Sequence, residues 1–155
     1  MLGYSREIRL ELSETNPKTL LSKSFGRLNL PENISFNDLT QNEPKIQLDA
    51  GKLGRVYDNL IKNAIDAMPE GGKITVKSYI DDRILHISFA DTGKGIDPEY
   101  LPKLFTPLFT TKAKGMGFGL AICQRIVEAH KGKISVESTI NIGTTFNIVL
   151  PTDLK

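Results

Sequence analysis

The chain has 155 residues, 39% of them hydrophobic and 25% charged, which is the composition of an ordinary soluble globular protein with enough material for one full core. Its formal net charge is only +2 and no run of lysine or arginine is dense, which argues against a nucleic-acid footprint or a polybasic membrane anchor; any anionic partner should be small or local. A single cysteine, Cys123, excludes an internal disulfide framework, suits a reducing cytoplasm, and reads as a small buried hydrophobe on a helix. No apolar run approaches a membrane span, and the opening MLGYSREIRL lacks the apolar block of a signal peptide.

In chain order, Asn16 before Pro17 predicts a helix start and a short helix to Phe25. LNLPENISFNDL and PKIQLD read as short strands around a turn-rich stretch. Asp49 is a fair cap for an amphipathic helix that Pro69 and Gly71-Gly72 end. KITVKSYI and RILHISFAD alternate on either side of Asp81-Asp82, the pattern of a hairpin with one face buried. A long stretch dense in Gly, Pro and Thr follows, with a turn or two of helix from Pro98 to Leu104; a loop of that length in a compact domain usually has a task. Helical spacing returns from Phe118 to Lys131 and stops at Gly132, and KISVES and TTFNIVLP close the chain as two strands. The order of elements predicts an α+β fold with a mostly antiparallel sheet and its helices on one face.

Three stretches carry chemistry. In NLIKNAIDAM, Asn59, Asn63 and Asp66 fall on one narrow stripe at about 100° per residue, bordering the apolar arc of Leu53, Val56, Tyr57, Leu60, Ala64, Ala67 and Met68. Asparagine is a poor helix former, so the stripe is either a solvated face or a set of oxygen ligands suited to a hard cation such as Mg²⁺. In FADTGKGI, alternation puts Asp91 on the inward face with Leu85, Ile87 and Phe89, where a carboxylate is costly unless something pairs with it. Gly93 and Gly95 remove side chains beside it, so that a flat ligand could approach, and a purine amine could supply the donor; an Asx-turn with convenient glycines is the alternative. In TTKAKGMGFGLAI, Gly115, Gly117 and Gly119 sit where loop becomes helix, with Lys112 and Lys114 nearby, so backbone amides could face an anion. The lysines precede the glycines, which excludes a P-loop, and a lid with glycine hinges fits better than a disordered linker because Phe105, Leu108 and Phe109 disfavour disorder.

NLIKNAIDAM, DTGKGI, LFTPLFTTK, GMGFGL and GTTF, in that order, resemble the N, G1, F, G2 and G3 boxes of the ATP-binding catalytic domain of sensor histidine kinases, in the superfamily that also holds gyrase, MutL and the heat-shock chaperones. The match runs from about Ile46 to Pro151, and the F-box wording is similar to that of nitrogen-regulator-type kinases. The resemblance implies a two-layer α/β sandwich, the Bergerat ATP-binding fold, with ATP between the helix layer and a lid. It implies Asn63 as magnesium ligand, Asn59 beside the phosphates, and Asp91 accepting from the adenine amine. Gly93 and Gly95 would line the base; Gly117 and Gly119 with Lys112 would meet the phosphates; Thr144 would support the adenine end through Asp91 or a water; Ile96, Gly115, Phe118 and Leu120 would also contact the nucleotide; and Asp66 carries over only weakly.

Hydrolytic members of that superfamily carry a glutamate four residues before the conserved asparagine, and here that position is Asn59, an amide unable to take a proton from water. Phosphoryl transfer needs chiefly positioning and charge neutralisation, to which Asn59 and Lys112 would contribute. Neither His86, in a strand, nor His130, in the last turn of a helix where the dipole favours a cation, follows the phosphoacceptor pattern. Residues 1–15 therefore read as a remnant of the dimerisation-helix linker and 16–155 as the catalytic domain. The expected partners are a separate dimerisation and phosphoacceptor domain and a response regulator receiver domain, with no nucleic acid and no membrane contact by this fragment. A cytoplasmic monomer is expected. A gyrase-like or MutL-like ATPase and a nucleotide-independent interaction module are the alternatives.

Overall fold

The computed structural model describes residues 8–107 and 119–154. Helix α1, Pro17–Arg27, starts where Pro17 occupies the first turn and the Asn16 side chain accepts from Thr19 N at 2.9 Å. Helix α2, Ala50–Asp66, starts at Asp49, whose side chain accepts from Lys52 N at 3.0 Å; it buries Leu53, Val56, Tyr57, Leu60, Ile61 and Ala64. Helix α3, Gly119–Ala129, buries Ala121, Cys123, Ile126 and Val127 against α2 and the sheet. The two outer helices are tied through α2 by different means: Arg27 and Ser24 of α1 clamp Asp58 at 2.7–3.0 Å, while α3 packs mainly by apolar contact, with one long Asn59–Cys123 hydrogen bond.

Five strands form the main sheet: β2 (Ile34–Leu39), β4 (Gly72–Asp81), β5 (Ile84–Asp91), β6 (Lys133–Thr139) and β7 (Gly143–Pro151), in the order β2-β4-β5-β7-β6. Only β2 and β4 run parallel, and α2 lies in the crossover between them. Inward side chains form successive rows across β5, β7 and β6: Leu85 with Leu150, then Ile87 with Ile148 and Ile134, then Phe89 with Phe146 and Val136. These rows pack on the helices, with the Tyr57 ring edge-on to Phe89 at 5.0 Å, and make the two-layer α/β sandwich that the resemblance implies.

Three local features differ from the sequence reading. Strand β1, Ser13–Thr15, pairs antiparallel with β3, Ile46–Leu48, in a separate two-stranded sheet; a three-residue polar segment has no alternation to announce it, and only the tertiary pairing makes it a strand. The hairpin turn is Asp82-Arg83 rather than Asp81-Asp82, since Asp81 still pairs with Ile84 and both turn residues have positive φ, 51° and 64°. The helical turn near Pro98 is a 3₁₀ segment, Pro98–Lys103. Beyond it the Phe105 ring docks edge-on to Phe146 at 6.4 Å, which anchors the end of this 3₁₀ segment to the core.

Candidate functional site

The apolar rows end in a polar one. Asp91 of β5, Thr144 of β7 and Ser138 of β6 are register partners on the inward face, one step beyond Phe89, Phe146 and Val136. Thr144 is buried, at 4% exposure. The Asp91 carboxylate accepts from Gly93 N at 2.8 Å and from the Thr144 amide. Burial pushes its pKa up, and these two amides offset that only in part. Among the described residues no lysine or arginine pairs with it. The Asx-turn and the inward carboxylate, posed as alternatives by the sequence, therefore coexist.

The loop after Asp91 is held on both sides. Lys94 N donates to Ala67 O at 3.0 Å, joining the loop to the end of α2, and Asn141 N donates to Lys94 O at 2.8 Å from the β6–β7 turn. Ile96 N donates to Ser138 Oγ at 2.8 Å. A Cβ on Gly93 would run into the Ala67 backbone, and Gly95, at φ +76°, faces the Thr139 carbonyl. The space a Cβ would need at these two positions is thus filled by protein, which gives the glycines a packing role beside the ligand approach expected from the sequence: they let the loop wedge between α2 and the hairpin.

The second part of the site is the seam between α2 and α3. Asn59 Nδ2 donates to Cys123 Sγ at 3.7 Å, so its carbonyl oxygen faces the start of α3, where a Cβ on Gly119 would stand 3.8 Å from it. Asn63 lies one turn further along α2, half-buried, toward the end that meets the Asp91 loop. Leu120 packs against the core and Asp66 is exposed, bordering a groove with Arg27 and Lys62. Cys123 is fully buried, its thiol pushed up to about 12 by burial, as a structural cysteine should be. Lys112, Gly115, Gly117 and Phe118 lie outside the described residues.

The donor set suits a cation that arrives with its own ligands. Among the described residues no three His, Cys, Asp or Glu side chains converge into a cage, whereas the Asn63 amide offers one neutral oxygen. Mg²⁺ keeps several waters and is bound by few protein groups plus substrate phosphates, which that donor fits.

His130 is not the dipole-stabilised cation expected from its position. It is fully buried; Nδ1 donates to Ile126 O at 2.9 Å, and Nε2 accepts from Asp49 N at 3.1 Å. Burial is the main reason its pKa is lowered, and only the neutral ring can accept from Asp49. His86 stacks on Tyr79 on the outer face of the sheet, 4.5 Å between centroids, as a sheet residue. Ser138 is the member of the polar row that the sequence reading missed. The signal was present in KISVES, where the alternation Ile134, Val136, Ser138 ends on a polar residue just as β5 ends on Asp91.

An inward carboxylate with no counter-charge among the described residues, beside a helix pair carrying two asparagines, is the arrangement of a known class of nucleotide-binding domain. Residues 48–154 match the family described as histidine kinase-, DNA gyrase B- and HSP90-like ATPase, and the chain belongs to that family. It is 42% identical over 144 residues to sporulation kinase E of Bacillus subtilis, covering 89% of this chain and 19% of that protein. It is 37% identical over 158 residues to the sensor histidine kinase ZraS of Escherichia coli, covering 99% of this chain and 34% of ZraS. The chain thus spans between about a fifth and a third of the length of these curated relatives. Among solved structures, the nucleotide-free catalytic domain of histidine kinase ThkA superposes with a TM-score of 0.81 at 32% identity, over 92% of this chain and 97% of that one. ThkA in complex with the response regulator TrrA superposes with a TM-score of 0.79 at 32% identity, over 96% of this chain and 44% of that one. Among the described residues no helix is long and apolar enough to cross a membrane.

Proposed function

We propose that this chain is the catalytic domain of a two-component sensor kinase: it binds ATP with Mg²⁺ and donates the γ-phosphoryl group to a histidine on a separate dimerisation domain, from which a response regulator receives it. In the transfer, the bond between the γ-phosphorus and the ADP oxygen breaks as a bond to an imidazole nitrogen forms, and the oxygen leaves with ADP. Asp91 accepts from the adenine amine. Asn63 would supply a protein oxygen to Mg²⁺, whose charge would offset that of the phosphates, and Asn59, Lys112, Gly117 and Gly119 are the residues assigned to meet those phosphates. Residues 1–15 continue the linker from the dimerisation helix, although Ser13–Thr15 packs with β3. The domain works in the cytoplasm and is a monomer in isolation.

The observation that carries this reading is Asp91, a half-buried inward carboxylate with two amide donors and, among the described residues, no paired cation, in a chain whose relatives are sensor kinases and whose structural relative ThkA is found with a response regulator. Asn59 in place of a water-activating acid supports transfer over hydrolysis. Titration calorimetry with a non-hydrolysable ATP analogue tests it. Binding should require Mg²⁺ for full affinity and weaken strongly in Asp91→Asn; binding that ignores both changes refutes the assignment. Phosphate release by the isolated wild-type domain should stay slow, and rapid release would favour the ATPase alternative.

A further inference from the structure

Ser138 is the member of the inward polar row with no task in the nucleotide reading. Its hydroxyl touches three groups: it accepts from Ile96 N at 2.8 Å, donates to Gly143 O at 3.1 Å, and meets Thr144 Oγ1 at 2.8 Å with either oxygen able to donate. A serine has one proton and two lone pairs, so its proton can go either to Gly143 O or to Thr144 Oγ1, the second choice giving up the Gly143 bond. In the first, Ser138 donates to Gly143 and accepts from both Ile96 and Thr144, so the proton of the buried Thr144 hydroxyl stays inside the protein. In the second, Ser138 turns its proton to Thr144 Oγ1, and the Thr144 proton is released toward the side next to Asp91. Rotation about two C–O bonds interconverts them, with no covalent bond altered and no heavy atom moved.

The purine edge makes that rotation useful. A base whose exocyclic amine donates to Asp91 carries ring nitrogen N1 as the neighbouring acceptor on the same edge. Thr144 is the register partner of Asp91 on the adjacent strand, and its amide already donates to that carboxylate. We infer that Ser138 is a positioning residue that sets the direction of the Thr144 hydroxyl proton, letting Thr144 donate to N1 of the bound adenine, directly or through one water. This rests on the nucleotide reading above. When the site is empty the donor is held by Ser138, so it is never stripped of a partner, and accepting from Ser138 makes the Thr144 proton a better donor when the base arrives. A base with a proton on N1 offers no acceptor there and gains nothing from the switch.

The test compares ATP with 1-deaza-ATP, which keeps the amine and lacks the N1 acceptor, by calorimetry on wild type, Ser138→Ala and Ser138→Thr, with thermal melts to confirm folding. Wild type should favour ATP by about three- to tenfold, the range of one neutral hydrogen bond. Ser138→Ala should shrink that ratio by weakening ATP alone, since Thr144 keeps its proton but loses the donor that orients and strengthens it, while Ser138→Thr, which keeps the hydroxyl, should restore it. Equal weakening of both nucleotides in Ser138→Ala would show a merely structural role through Ile96 and overturn the inference, as would a wild type that does not distinguish the two. Should Ser138→Ala not fold, Ser138→Cys, a weak donor of similar shape, should give an intermediate ratio, and an unchanged ratio there overturns the inference. A wild type that binds neither nucleotide defeats the ATP reading itself, a result distinct from loss of selectivity.

Discussion

Asp49 and Asp91 are two aspartates in nearly the same local situation, each at the end of a strand, each accepting two backbone amides, and each penalised by burial. Asp49 caps α2, accepting from Glu11 N at 2.8 Å and Lys52 N at 3.0 Å, and adds the Lys52 ammonium at 3.4 Å. Burial raises its pKa, but the two amides and the Lys52 charge outweigh it and leave the carboxyl below its usual range. Asp91 has amides from Gly93 and Thr144 and, among the described residues, no cation, and burial wins. The difference separates a finished structural group from one with capacity left for a donor that the protein does not supply.

The largest expected effect breaks the pair from the Asp91 side. Asp91→Asn should weaken ATP binding by about 10- to 150-fold, the range of one hydrogen bond to a charged group, because an amide cannot serve the same donors with the same charge. The thermal melt of the nucleotide-free variant should move little. The matching change at the other carboxylate has the opposite profile: Asp49→Ala should cost about 1–2 kcal/mol through the lost cap, lowering Tm by roughly 2–8 °C for a chain of this size, while ATP affinity in the folded fraction stays close to wild type. A fall in affinity in Asp49→Ala comparable to that in Asp91→Asn would erase the distinction.

How far the sequence reveals such differences depends on whether the decisive partner is local. The Asp49 cap is three residues from the amide that donates to it, and the inward position of Asp91 follows from period two within one strand, so both are legible in order. The lysine that finishes Asp49 is also local. What the chain order hides is register: that Ser138, Thr144 and Asp91 fall on one row depends on three strands pairing with two specific offsets. The same holds for β1, a polar tripeptide made a strand by β3, and for His130, whose Nε2 finds Asp49 N across 81 positions. A helix-end histidine reads as a cation only if the end is exposed, and this one is not. The wedge of the Asp91 loop between Ala67 and Thr139 likewise explains Gly93 and Gly95 through contacts that no local motif records.

His130 sharpens the comparison with a smaller effect. Its pKa is lowered in the fold, so the unfolded chain takes up a proton first as pH falls; the stability its neutral ring contributes is intact above the unfolded value of about 6.5 and declines as pH drops through it. Asp49, with a lowered carboxyl pKa, adds to acid lability further down, its contribution being present above the ordinary carboxylate value and lost as pH falls through the folded one. Chemical denaturation at pH 7.5 and pH 5.5, values chosen about one unit on either side of that histidine pKa, should show wild type losing stability on acidification. His130→Gln, which keeps an acceptor near Asp49 N without titrating, should lose less over the same interval. A variant with the same loss would mean that the buried ring is not the group responsible.

Asp91 bears the opposite sign, and this is the smallest and most specific effect. Its folded pKa lies above the unfolded one, so its contribution to stability is present at low pH and is lost as pH rises through the folded value; the nucleotide-free chain carries that cost at neutral pH. An adenine amine donating to the carboxylate favours the charged form and should pull the pKa back down. Binding measured in mildly acidic buffer should therefore release protons, seen as an apparent binding enthalpy that changes with the ionisation enthalpy of the buffer. The released fraction should vanish in Asp91→Asn and persist in Asp49→Asn, because Asp49 already has its cation and gains nothing from the ligand. Proton release of equal size in the two variants would place the titrating group elsewhere and leave the Asp91 carboxylate with no part in reading the base.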